Sequence, residues 1–156
     1  MELLTLPRLL IPVEATPGET RVSATPETVK TFVSLGCSVC LERGAGTPAG
    51  YLDAAYADQG ADLVSPGDAN AWSSADVLLC VQAPSSESLA RLRRGALVVG
   101  LLEPYANEAL AAALERGGLS AMALELLPRI SRAQAADALS SQANIAGYKS
   151  VLLASG

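Results

Sequence analysis

The 156-residue chain contains no histidine. That removes the commonest general base and the commonest metal ligand of proteins. Any chemistry must use another residue, a cofactor, or a group the chain does not contain. Aromatic residues are 4% of the total, so a core has to be built from Leu, Val, Ile and Ala. Basic clusters are missing and the net charge is -5, which argues against nucleic-acid binding. No apolar run approaches the ~20 residues that cross a bilayer, so this segment is not expected to insert in a membrane. Residues 1–13 are apolar but lack a basic leader and a small-residue cleavage site. A signal peptide is therefore not expected, and a cytoplasmic location follows.

Half of the residues are hydrophobic and 17% are charged, a balance that opposes disorder. The length suits one domain with a substantial core. Short apolar runs at residues 9–13, 38–41, 61–64, 75–81, 96–102 and 121–126 read as strands. The run at 75–81 is apolar on both faces, as a parallel strand covered by helices on each side must be. Helical patterns lie between the strands. Thr25 is a good N-cap, Pro26 suits the first helical position, and Gly36 stops that helix. Further helices are expected over 53–59, 86–94 and 107–116, and a last one runs to Ala154. This alternation predicts a doubly wound, mainly parallel α/β sheet, Rossmann-like or flavodoxin-like in three layers. Ligands of such sheets sit at the carboxyl ends of the strands, here the loops at 14–21, 43–50, 82–86, 103–107 and 127–133.

Cys37 and Cys40 form a C-x-x-C, but in a strand they point to opposite faces, about 10 Å apart at ~3.3 Å per residue. That is too far for a disulfide. With Cys80 the remaining thiol, zinc would lack ligands, and no metal site is expected. The glycines at 44, 46 and 50 suggest a phosphate loop, but Pro48 interrupts them and the fingerprint spacing is wrong. They read as a turn. Asp76 reads as a turn or cap residue. Arg21 follows a Pro-Gly loop and leaves two readings open: a bidentate anion site, or a surface Arg paired with Glu19, Glu27 or Glu42.

Near the end the pattern changes. Gln134, Asp137, Ser141, Asn144 and Tyr148 follow one another at steps of three, four, three and four. In a helix they share a face. A solvated face ordinarily carries Lys and Glu; this one carries poorer helix formers, and local preference is often given up at functional sites.

Residues 17–29, headed by Pro17-Gly18-Glu19-Thr20-Arg21-Val22, resemble the alanine dehydrogenase/transhydrogenase family. So do Gly100-Leu101-Leu102-Glu103-Pro104-Tyr105-Ala106-Asn107 and residues 125–148. Within that family they look most like the NAD(H)-binding alpha subunit of proton-translocating NAD(P) transhydrogenase. The resemblance implies an N-terminal-type domain over 1–133. Residues 134–156 would begin a long domain-crossing helix to an NAD-binding Rossmann unit. No G-x-G-x-x-G opens a helix in this chain, so a partial chain is expected. By motif match, Arg129 and Asp137, with Ser140, would orient the nicotinamide end of NAD(H). Gln134 would bridge toward NADP(H) held by a partner, the transhydrogenase beta subunit, and Gln134 with Asp137 would be the catalytic pair. The implied assembly holds a homodimer of alpha subunits and lies peripheral to the inner membrane on the cytoplasmic side. Two rivals are an alanine-dehydrogenase-like oxidoreductase with Arg21 on a substrate carboxylate, and a non-catalytic interaction domain of the same fold. Gln82 stands where the family commonly has Lys, and the segment around Glu103-Pro104 offers no His.

Overall fold

The computed structural model describes residues 6–128, 130 and 137–154. Six strands form one parallel sheet: β1 (Arg8–Ile11), β2 (Ser38–Glu42), β3 (Asp62–Val64), β4 (Val77–Gln82), β5 (Leu97–Leu101) and β6 (Ser120–Ala123). Their order is β3-β2-β1-β4-β5-β6, the Rossmann order rather than the flavodoxin one. The helices are α1 (Pro26–Ser34), α2 (Asp53–Ala57), α3 (Ala69–Ser74), α4 (Ser86–Leu89), α5 (Glu108–Gly117) and α6 (Ala138–Ala154).

Alternation along the strands makes two cores. Leu9, Ile11, Val39 and Leu41 face α1 and α2, where Val29 and Tyr56 meet them. Leu10, Cys40, Leu78, Cys80 and Val98 face the other way, toward Trp72, Leu89 and Leu110 of α3, α4 and α5. Successive side chains of a strand point to opposite faces, so each strand serves both layers. The C-x-x-C follows this rule: Cys37 packs beside the first core and Cys40 is buried in the second. Tyr56, wholly buried, donates its hydroxyl hydrogen to the Ala24 carbonyl at 2.9 Å. Burial pushes its pKa up to about 12.

Local chemistry sets the helix ends as expected. Thr25 caps α1 through the Thr28 N–H, and Asn107 caps α5 through the Leu110 N–H. The glycine-rich stretch after β2 is a turn: Gly44 and Gly50 have φ of 86° and 88°, and Thr47–Ala49 is a single 3-10 turn. Asp76 accepts from the Arg8 N–H at 2.6 Å and pairs with Arg93.

Three expectations need correction. The helix α3 was not anticipated, although Asp68 caps it through the Ala71 N–H; six residues give too little periodicity to see. The helix expected over 86–94 is only the turn Ser86–Leu89, with further backbone turns to Leu92. The last strand ends at Ala123 and passes into a 3-10 turn, Leu124–Leu126.

Glu42, at the end of β2, is 3% exposed. Its carboxylate accepts from the Val13 N–H (2.9 Å), the Gly67 N–H (2.7 Å) and the Trp72 indole N–H (2.8 Å). It thereby ties the exit of β1, the turn before α3 and α3 itself to β2. Glu42→Ala leaves three donors without an acceptor, and by the cost of unmade buried hydrogen bonds it should destabilise the domain by about 3 kcal/mol. Urea unfolding checks this; a loss within ~0.5 kcal/mol, the range for ordinary surface changes, would show that water replaces the carboxylate freely.

Candidate functional site

The sheet order reverses between β1 and β4, which makes their carboxyl ends the switch point. β1 pairs with β4 at Leu9–Val77 and Leu10–Leu78. Beyond that point a side chain takes over. Glu14, just past β1, accepts from the Val81 N–H at 2.5 Å and from the Gln82 N–H at 3.1 Å. Consecutive N–H groups of a regular strand point to opposite sides, so β4 must distort here. Its register with β5 indeed shifts between Leu79 and Gln82. Burial raises the pKa of Glu14, the two backbone N–H groups lower it, and the charge of Glu19 adds to the rise.

The chain then turns at Thr16-Pro17-Gly18-Glu19, with the Glu19 N–H on the Thr16 carbonyl and Gly18 at φ 82°. Pro then Gly at a positive φ is a type II turn. It brings Glu19 onto Arg21. Glu19 accepts from Arg21 Nε (2.8 Å), Arg21 Nη2 (2.5 Å) and the Arg21 backbone N–H (2.9 Å). The Gln82 amide donates to Glu19 Oε2 at 2.9 Å. The hydrogen bond from Arg21 holds the Glu19 carboxyl at about 2, and the same bond raises the Arg21 pKa. Arg21 Nη1 reaches Gln142 Oε1 of α6 at 3.3 Å. Ser23 donates its hydroxyl to the Leu79 carbonyl at 2.8 Å. A cavity of about 270 Å³ lies among Arg21, Ser23, Val81, Leu124, Ala138 and Gln142.

Of the two readings of Arg21, the structure realises the pairing with Glu19. Glu19 takes Nε and Nη2 of Arg21, and Nη1 is left turned toward Gln142. Asp137 and Ser140 stand together: Asp137 Oδ1 accepts from the Ser140 N–H (2.9 Å) and Oδ2 from its hydroxyl (2.6 Å). Asp137 is thus a cap preceding α6. The single-face stripe is corrected accordingly: Ser141, Asn144 and Tyr148 lie on α6, all exposed. Arg129 and Gln134 fall outside the described residues. Sequence reasoning missed Glu14 and Gln142. A carboxylate directly after the first strand was a usable signal for Glu14; nothing local distinguished Gln142.

This geometry defines a class: a doubly wound α/β domain in the strand order of dinucleotide-binding units. Its own switch point is closed by carboxylates instead of being opened by glycines. The model of the family "Alanine dehydrogenase/PNT, N-terminal domain" matches residues 10–146, and the chain belongs to this family. An NAD(P) transhydrogenase alpha-subunit protein of Rhodospirillum rubrum is 42% identical over 150 residues, covering 93% of this chain and 39% of that protein. A transhydrogenase structure from Sinorhizobium meliloti superposes with a TM-score of 0.88 at 41% identity, covering 93% and 43%. Alanine dehydrogenase of Mycobacterium tuberculosis is 35% identical over 118 residues, covering 76% and 32%. The chain therefore spans 39% of the length of the first of these relatives.

Glu19 makes a contribution to stability with a definite pH sign. Its folded pKa is depressed, so its contribution is present above the unfolded value of 4.5 and is lost as the pH falls through about 2. Unfolding of Glu19→Gln beside the unmodified protein isolates it from Glu14, whose raised pKa acts in the opposite sense. The gap in urea midpoints should be full near pH ~6 and nearly closed at pH ~2. A gap independent of pH would mean that Glu19 is not held by Arg21 in solution.

Proposed function

We propose that this chain is the N-terminal domain of an NAD(P) transhydrogenase alpha subunit. On this reading it takes part in direct hydride transfer between NADH and NADP⁺, coupled to proton translocation elsewhere in the complex. The observation that carries this is the extent of similarity: 93% of the chain aligns at 42% identity with the Rhodospirillum rubrum transhydrogenase subunit. With the alanine dehydrogenase 76% aligns at 35%. Transfer from one nicotinamide ring to another needs no general acid or base, which suits a chain without His. An enzyme gripping the carboxylate of an amino or keto acid suits it poorly, because Glu19 already occupies Arg21.

Residues 1–133 form the N-terminal-type domain in this proposal, and residues 134–156 begin the helix to an NAD-binding Rossmann domain. The described residues do not fit a complete dinucleotide. Glu14 and Glu19 stand where a pyrophosphate would lie, and α1 opens with Pro26, which has no N–H to offer. What this chain contributes is a positioned edge. On this reading Arg129 and the coupled pair Asp137 and Ser140 would orient the nicotinamide end of NAD(H), and Gln134 would bridge toward NADP(H) on the beta subunit. The nicotinamides supply the hydride donor and acceptor, and orientation is the protein's part in lowering the barrier. Asp137 is suited to this, since both its oxygens are held against Ser140 before any ligand arrives. The assembly would pair two alpha subunits and sit on the cytoplasmic side of the inner membrane. Among the described residues no helix is long and apolar enough to cross one.

Two measurements test the proposal. In the complete alpha subunit assembled with its NADP-binding partner, Gln134→Ala should slow hydride transfer more than ~10-fold, as loss of near-attack geometry does. NADH affinity should change less than ~2-fold; stopped-flow rates equal to the unmodified complex would remove Gln134 from its role. The isolated 156-residue chain should bind NADH more weakly than ~1 mM. Calorimetry giving micromolar binding would place a complete cofactor site within it and overturn the proposed division of labour.

A further inference from the structure

We infer that Arg21 is a positioning residue: it clamps the first turns of α6 to the sheet and thereby sets Asp137 and Ser140. The inference rests on the transhydrogenase reading for its functional consequence, but not for its geometry. Packing alone does not hold the start of α6. None of the described residues of α6 is buried, and the 270 Å³ cavity lies beneath Ala138 and Gln142. A polar tie crosses that gap. It starts at Gln82, the last residue of β4, whose amide donates to Glu19. Glu19 grips Arg21 through Nε and Nη2, which fixes the plane of the guanidinium. The remaining terminal nitrogen, Nη1, points at Gln142 Oε1. Gln142 lies five residues past Asp137, within ~8 Å along a helix axis.

Each member suits the task. Arg keeps its charge at every working pH, and its rigid fork can hold two partners at once. Gln82 is neutral, so it steadies Glu19 without drawing the carboxylate's charge away from Arg21. A Lys at position 82 would compete with Arg21 for Glu19. Asp137 caps α6 and Ser140 lies in its first turn, so the angle at which α6 leaves the domain decides where both stand.

The test uses the complete alpha subunit with its NADP-binding partner and two readouts: amide hydrogen exchange over α6, and hydride-transfer rate at saturating nucleotides. Arg21→Met should speed exchange in residues 141–146 by about three- to tenfold, the range for one charge-assisted hydrogen bond partly open to solvent. Peptides covering β1 and β4 should be unaffected. Gln142→Leu should reproduce this from the other side, and the double variant should add nothing. Gln142→Glu, which replaces an amide with a carboxylate facing Arg21, should slow exchange below that of the unmodified protein. Hydride transfer should fall in both loosened variants and be retained in Gln142→Glu, with NADH affinity unchanged. Unaltered exchange over α6 in Gln142→Leu, a surface change that cannot unfold the core, would overturn the clamp. So would altered exchange with unaltered hydride transfer, because the clamp would then position nothing. If the unmodified complex transfers no hydride while α6 still responds, the transhydrogenase reading fails and the clamp stands as geometry.

Discussion

The carboxylate of Glu42 is the constraint on which the carboxyl edge of the sheet depends. A buried charge is tolerated only when its hydrogen-bonding capacity is filled, and Glu42 meets three N–H groups from three separate segments. One of them belongs to Val13, the last residue before Glu14. The residue preceding Glu14 is thus pinned to β2 while the Glu14 carboxylate reaches β4. Trp72 is fixed by the same acid, and Arg91 stacks over its ring at 5.6 Å. The turn before α3 is closed there as well, since Gly67 donates to Glu42.

From that anchor the edge is built by side chains standing in for backbone. Parallel sheets of this order diverge at the switch point, and the opened N–H groups of β4 would ordinarily face a ligand or water. Glu14 satisfies two of them. Glu19 then neutralises Arg21, and Gln82 secures Glu19. The result is a switch point whose own groups complete each other. A dinucleotide-binding unit instead leaves backbone N–H groups and a helix N-terminus exposed for phosphate. The proposed function gives the same strand order a different use: a rim that orients what another domain would hold.

A second acid repeats the device on the far side. Glu125 accepts from the N–H groups of Leu102 and Glu103 through one oxygen. Glu103 takes a left-handed φ of 47°, which is uncommon for a residue with a side chain. The start of the loop after β5 is thereby tied to Glu125.

The strands, their parallel arrangement and the capped ends of α1 and α5 were legible in the sequence, because alternation, Pro-Gly turns and capping residues act over a few neighbours. The opposed faces of Cys37 and Cys40 were legible for the same reason. The short helix α3 and the early end of α4 were not, since four to six residues carry too little periodicity to outweigh their surroundings. Nor was the partner of Arg21. Glu19, Glu27 and Glu42 were equal candidates in the chain, and only the fold turned Glu19 toward it while sealing Glu42 against Trp72. By itself the sequence determined which residues face which layer, because that is a local periodicity. The tertiary structure decided which polar groups meet across the chain, because Gln82 and Glu19 are 63 positions apart and Arg21 and Gln142 are 121 apart, and no local rule spans such distances.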